Sequence, residues 1–263
     1  MSIEPNLENT ALPGHLDNLI EVCFGPNAEE FVASSEARPL LLPFSKRPKP
    51  SQLRDRLSAL FSLQGADSLT PTAIRAVNLT WENFTEGSVA PNDFLRSPIG
   101  AAYRVTNVSG KGRGLIATRN ITVGERVLIE HPVVVLVKDQ MNALCFLTLP
   151  KQAIHALLLL HNNIPDNKEY TSHLDIPQHR LLDYLKGVAT SNAFVATLDN
   201  GEEAGVILLA GSLFNHSQQA NVYYSFETDK MVFTAIQPVN QGQELTVCYS
   251  GSAEELQSNY GIP

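Results

Sequence analysis

The chain is 263 residues long, 43% hydrophobic and 17% charged, with a formal net charge of -8. That allows one large domain with its own core, or one domain plus a smaller appendage. The acidic balance argues against a dominant phosphate-binding surface, because nucleic-acid affinity rests on clustered Lys and Arg; a basic protein tail suits such a surface better.

From Met1 to Asn9 the chain is polar and acidic, so no secretory signal is read there. The longest apolar stretches, 133–137 and 156–160, fall far short of the ~20 residues a bilayer requires. Three cysteines, Cys23, Cys145 and Cys248, are widely spaced and odd in number. They support neither a disulfide framework nor a thiolate zinc site. The reading is a soluble protein of a reducing compartment, nuclear or cytoplasmic, with no direct nucleic-acid or membrane partner.

Residues 1–100 read as a helical, Pro-rich appendage. Leu16, Leu19, Ile20 and Cys23 share one helical face, as do Leu53, Leu57, Leu60 and Phe61. A third helix is predicted after Thr70-Pro71, where Thr can cap and Pro can occupy the first turn. Ile74, Val77 and Trp81 would form its apolar face, packed on the following domain.

From Tyr103 the texture changes to short β-branched runs punctuated by Gly112, Gly114 and Gly124, which predicts strands, with 126–130 and 133–137 among them. A helical insert is expected over about 139–192, including 153–161 and 179–186. Strand patterns return at 220–226, 231–235 and 244–249. Strands, then helices, then strands is an α+β order without regular βαβ alternation.

Three segments then draw attention: Gly110-Lys111-Gly112-Arg113-Gly114-Leu115, Phe214-Asn215-His216-Ser217 and Gln243-Glu244-Leu245-Thr246-Val247-Cys248-Tyr249. Taken singly they are a flexible turn, a cap and a half-buried strand. The glycine run matches neither G-x-G-x-x-G nor a Walker motif. His155, His161, His173 and His179 lack the spacing of a metal site.

In order along the chain, however, these segments resemble SET domains. The glycine loop, the Thr190-Ser191-Asn192-Ala193-Phe194 segment, Asn215-His216-Ser217 with Asn221, and the closing Glu244-Leu245-Thr246 with Tyr249 are similar to that family's motifs. Leu158-Leu159-Leu160-His161-Asn162 resembles a helix of small fungal members. The resemblance implies short β-sheets with a knot-like C-terminal threading over 101–251, a helical insert at about 139–192, and a tail at 252–263 in place of a post-SET segment.

The resemblance also implies S-adenosylmethionine (AdoMet) as methyl donor and a protein lysine as acceptor, a histone tail being one candidate. Carried over residue by residue, Lys111, Gly112, Arg113, Leu115, Asn192, Asn215 and His216 should bind the cofactor. Gly112 and Gly114 would let the backbone approach it, having no Cβ. Tyr249 should lie beside the transferring methyl, and Tyr260 should be a second channel tyrosine.

Departures from the pattern leave alternatives open. Gln218 stands where the signature has Cys and Ala220 where it has Pro, and the chain reaches Pro263 without a C-x-C. No zinc is expected, and neither is a MYND cluster. A SET-fold scaffold that no longer methylates protein, or an enzyme acting on a small molecule, stands beside the lysine methyltransferase.

Overall fold

A computed structural model describes residues 71–86, 90–137, 146, 148–162, 181–199 and 201–262, with positions 49, 51, 52 and 55 before them. The helix foreseen at 16–23, nearly all of that at 53–61 and much of the insert lie outside the described residues.

Helix α1 (Pro71–Trp81) begins at the proline that the sequence places in a first turn. It buries Ala73, Ala76, Val77, Thr80 and Trp81, whereas Ile74 is only half-buried. Val77 and Trp81 are thus buried as foreseen, and Ala73 and Ala76 rather than Ile74 complete the buried face. Trp81 Nε1 donates to Thr148 O at 2.8 Å, and Thr80 Oγ1 lies 2.7 Å from Val133 O. These bonds satisfy polar atoms that burial would otherwise strand.

Among the described residues, ten strands follow in three small sheets. The first holds β1 (Tyr103–Val108), β2 (Gly112–Ala117), β10 (Glu244–Val247) and β7 (Asn215–His216), in the order β1-β2-β10-β7. The second holds β3 (Arg126–Glu130), β9 (Lys230–Ala235) and β8 (Val222–Glu227). The third holds β4 (Val134–Val137), β6 (Glu203–Ile207) and β5 (Ala193–Thr197). Between β4 and β5 lie the helices α2 (Lys151–Leu158) and α3 (Leu181–Asn192). After β10 come a short helical turn, α4 (Ala253–Glu255), and a π-helical turn over Leu256–Tyr260.

Mixed helices and small sheets agree with the α+β expectation. Three strands escaped it: β7, whose residues read singly as a cap, and β5 and β6, which form an antiparallel hairpin pairing Ala193 with Ile207 and Thr197 with Glu203. Glu203 opens β6. Helix α3 runs directly into β5, so Asn192 ends the helix and Phe194 lies on the strand.

The sheets meet around an aromatic cluster. Phe214 and Phe233 stack with centroids 4.5 Å apart, and Phe194 meets Tyr224 and Phe233 edge-on at 5.0 and 5.6 Å. Such pairs add about 0.5–1.5 kcal/mol each beyond the area they bury. They also fix the residue immediately before Asn215 in the core.

Candidate functional site

Two hairpin features place the glycine segment. β1 and β2 pair from Tyr103 with Ala117 to Val108 with Gly112, and the connecting turn closes with Lys111 N–H on Val108 O at 3.1 Å. Gly110 and Gly112 both have φ of +76°, a conformation that side chains with a Cβ rarely adopt. Gly114 serves a different purpose from the one expected. A Cβ there would lie 2.5 Å from Asn215 Nδ2 and 2.7 Å from Val108 Cγ2, so its missing side chain makes room for Asn215.

β7 lies parallel to β10, pairing Asn215 with Thr246 and His216 with Val247. Asn221 clamps β10 from the other side: Nδ2 donates to Glu244 O at 2.8 Å and Oδ1 accepts from Thr246 N–H at 2.9 Å. Tyr249 follows the strand. Its backbone N–H donates to His216 Nδ1 at 3.1 Å, and its hydroxyl donates to Phe214 O at 2.5 Å. At the two departures from the signature, Gln218 Nε2 reaches Ser250 O at 3.4 Å, and Ala220 O accepts from Gln237 Nε2 at 3.2 Å.

These elements surround a cavity of about 760 Å³, within the usual range for a small-molecule site. Of the residues singled out in the sequence, Lys111, Gly112, Arg113, Asn192, Asn215, His216, Tyr249 and Tyr260 line it. Leu115 does not: it is fully buried in the hydrophobic core and its strand partner is Leu245. Gly114 is buried as well, and the wall is formed by the preceding residues of the turn.

The amide orientations set the chemistry of the wall. Asn192 Nδ2 donates to His161 O at 2.6 Å and Val188 O at 2.8 Å. Asn215 Nδ2 donates to Glu244 Oε1 at 2.8 Å and Arg113 O at 3.3 Å. With both amide N–H groups of each side chain engaged, Oδ1 is the atom each can offer the cavity. An acceptor pair suits a positively charged donor, such as an α-ammonium group.

His216 contributes the opposite polarity. Its Nδ1 accepts from Tyr249, so the ring proton sits on Nε2. Among the described residues that buried nitrogen has no partner. Burial first, and then the nearby Lys111 charge, lower its pKa and keep the ring neutral.

Arg113 is half-buried, and its guanidinium donates to Leu159 O at the C-terminal end of α2, a favourable place for a cation. Its side chain thus braces the insert, while its carbonyl is committed to Asn215.

Three tyrosines converge on the same cavity. Tyr249 and Tyr260 have ring centroids 4.7 Å apart, and Tyr224 joins them in the wall. Burial raises the pKa of all three, and Tyr260 adds to the rise at both Tyr249 and Tyr224. All are neutral phenols near neutral pH.

Tyr224 and Phe194 were not singled out as site residues. A signal existed in the alternation of β8, where buried Val222 puts Tyr224 on its own face.

Replacing Gly114 with Ala should lower unfolding stability by about 1–3 kcal/mol through overpacking and displace the Asn215 amide. Denaturant titration checks the first effect. An unchanged midpoint would show that Val108 and Asn215 yield freely.

Comparison with known families gives the same frame. The SET-domain family model matches residues 112–250. No curated protein matches the chain. Among solved structures, a Plasmodium falciparum candidate histone methyltransferase shares 14% identity over 58% of this chain and 96% of that one, with a TM-score of 0.32. The SET domain of LSMT, solved with lysine and AdoHcy, shares 16% identity over 73% of this chain and 58% of that one, with a TM-score of 0.41. The family match spans more than half of the 263 residues and takes in Gly112, the Asn215-His216 pair and Tyr249, so the chain belongs to the SET-domain family.

Proposed function

We propose that the protein is an AdoMet-dependent methyltransferase acting on a lysine side chain of another protein, a histone tail being one candidate. The observation that carries this reading is that the glycine turn, two asparagine acceptors, His216 and three tyrosines line one cavity. Its size and mixed polarity fit a nucleoside joined to an amino acid. When bound, AdoMet supplies an electrophilic methyl on a sulfonium.

The protein's own groups position and desolvate the acceptor. Because the Tyr249 hydroxyl spends its proton on Phe214 O, its remaining lone pair can accept an N–H from an incoming amine and hold the nitrogen in line. Tyr224, Tyr249 and Tyr260 offer aromatic surface to a lysine stem and its cationic head. A lysine ammonium, with a pKa of about 10.4 in water, must lose a proton before attack, and removal from water lowers that pKa. The excess of acidic residues favours a basic segment as the acceptor's carrier.

The test is calorimetric titration of the full chain with AdoMet, followed by methyl transfer from labelled AdoMet to arrayed lysine peptides. Micromolar binding and label on lysine peptides, absent when Arg replaces the lysine, are expected. A folded protein that binds no AdoMet defeats the reading. Binding without transfer to any peptide would favour a scaffold or a small-molecule acceptor.

A further inference from the structure

Glu244 is not among the residues that line the cavity, yet its carboxylate governs two that do. Oε1 accepts from Asn215 Nδ2 at 2.8 Å, and Oε2 lies 2.8 Å from Lys111 Nζ. One carboxylate therefore ties the glycine turn to β7 through β10, the strand that carries it. The group is well placed to do so: its side chain is 19% exposed, and its backbone carbonyl is held by Asn221. The absent Cβ of Gly114, which would come 3.3 Å from Glu244 Oε1, leaves the space in which the carboxylate and the Asn215 amide meet.

An asparagine side chain is nearly symmetric in shape, and only its hydrogen-bond partners decide which end faces which way. At Asn215 the two partners are Arg113 O and Glu244 Oε1, both acceptors. The bond to Arg113 O is long, at 3.3 Å, whereas that to the carboxylate is short and charge-assisted. The second bond is the stronger determinant. It fixes the NH2 group toward the protein and leaves Oδ1 for the cavity.

We infer that Glu244 is a positioning residue: it sets the orientation of the Asn215 amide and so selects a ligand that carries a cationic amino group. This rests on the methyltransferase reading and extends it to a residue outside the cavity wall. Without the carboxylate, a neutral amide at 244 must satisfy both Lys111 Nζ and Asn215. If its oxygen takes Lys111, its own NH2 faces the NH2 of Asn215, and Asn215 turns over. That would present donors where the ligand's ammonium also donates.

The experiment compares two ligands and three variants by calorimetry on the full-length protein. S-adenosylhomocysteine carries the amino-acid end, and 5′-methylthioadenosine is the same nucleoside thioether without it. Glu244→Gln should weaken binding of the first tenfold or more and leave the second within twofold. Asn215→Ala should show the same selective loss, and Asn215→Ala/Glu244→Gln should be no weaker than Asn215→Ala alone, because the two residues act as one unit.

Equal losses for both ligands would make Glu244 a merely structural residue and overturn the inference. So would additive losses in the double variant, or no loss at all. If Glu244→Gln does not fold, Asn215→Ala still decides whether the amide reads the amino-acid end, and failure there overturns the inference too. Wild-type protein that binds neither ligand removes the methyltransferase reading itself and this inference with it, an outcome distinct from wild-type binding that ignores Glu244.

Discussion

Tyr249→Phe is expected to lower single-turnover methyl transfer by about 100-fold or more, the usual scale for losing one preorganised polar group at a reacting centre. S-adenosylhomocysteine affinity should stay within about threefold. The ring packing against Tyr260 and the backbone bond to His216 do not involve the hydroxyl, so the variant keeps the shape of the cavity. It loses the oxygen proposed to accept from the amine and leaves Phe214 O without the donor it has now. That second loss should cost about 1 kcal/mol of stability.

The pH profile separates roles. Burial, with neighbouring Tyr260 and Glu244 adding to it, pushes the Tyr249 phenol well above its ordinary range. Near neutral pH it is protonated, which leaves it no basic lone pair for taking the amine's proton. Turnover should therefore rise with pH as the substrate amine loses its proton, and Tyr249→Phe should keep the same rising limb at a lower height. A variant as fast as wild type would remove Tyr249 from the chemistry. A variant whose limb vanishes would make the phenol, not the amine, the titrating group.

The sequence exposed those parts of the site that depend on neighbours along the chain. Gly110 and Gly112 announce a turn because their backbone angles are ones other residues avoid. The strands at Arg126–Glu130 and Glu244–Val247 announce themselves through β-branched alternation. The β5–β6 hairpin also carried a legible signal, Asn200-Gly201 between two apolar runs, with Gly201 at φ +81°; it was overshadowed by the helical pattern that runs into it at Asn192.

What depends on distant partners was hidden. That Gly114 faces Asn215, 101 positions away by subtraction of the two numbers, follows from how β2, β10 and β7 lie side by side, and no local pattern encodes it. The Asn192 amide likewise takes its direction from His161 O across the insert. Leu115 was misplaced for a related reason. Its motif neighbours Lys111, Gly112 and Arg113 reach the cavity, but at Leu115 β2 becomes flanked on both sides, by Val105 of β1 and Leu245 of β10, and the side chain is enclosed in the core.

The largest loss of stability is expected at Glu130, a residue that no motif reading picked out. At the end of β3 its carboxylate accepts three backbone N–H groups, from Leu209 at 2.8 Å, Ala210 at 3.0 Å and Gly211 at 2.7 Å. Those amides open the 3-10 turn Gly211–Leu213, whose orphan donors need an acceptor. The turn leads directly into Phe214, Asn215 and His216. Burial raises the Glu130 pKa above the ordinary carboxylate range, while the three N–H bonds pull it down, so the site works against itself unless all three bonds are kept.

Glu130→Ala strands three amides at once. At about 1–3 kcal/mol for each unsatisfied buried group, partly offset by relaxation and water entry, the variant should lose about 3–5 kcal/mol. Glu130→Gln should lose about 2 kcal/mol, since its oxygen can serve two amides but its NH2 must face the third. Denaturant unfolding measures both. If the ordering is instead Gln as costly as Ala, shape rather than acceptor count holds the turn. If neither variant moves the midpoint, water already satisfies the amides and β7 is positioned from β10 alone. With the expected ordering, the least destabilised variant should also bind S-adenosylhomocysteine more weakly, because the segment it loosens carries the two polar residues of β7 into the cavity.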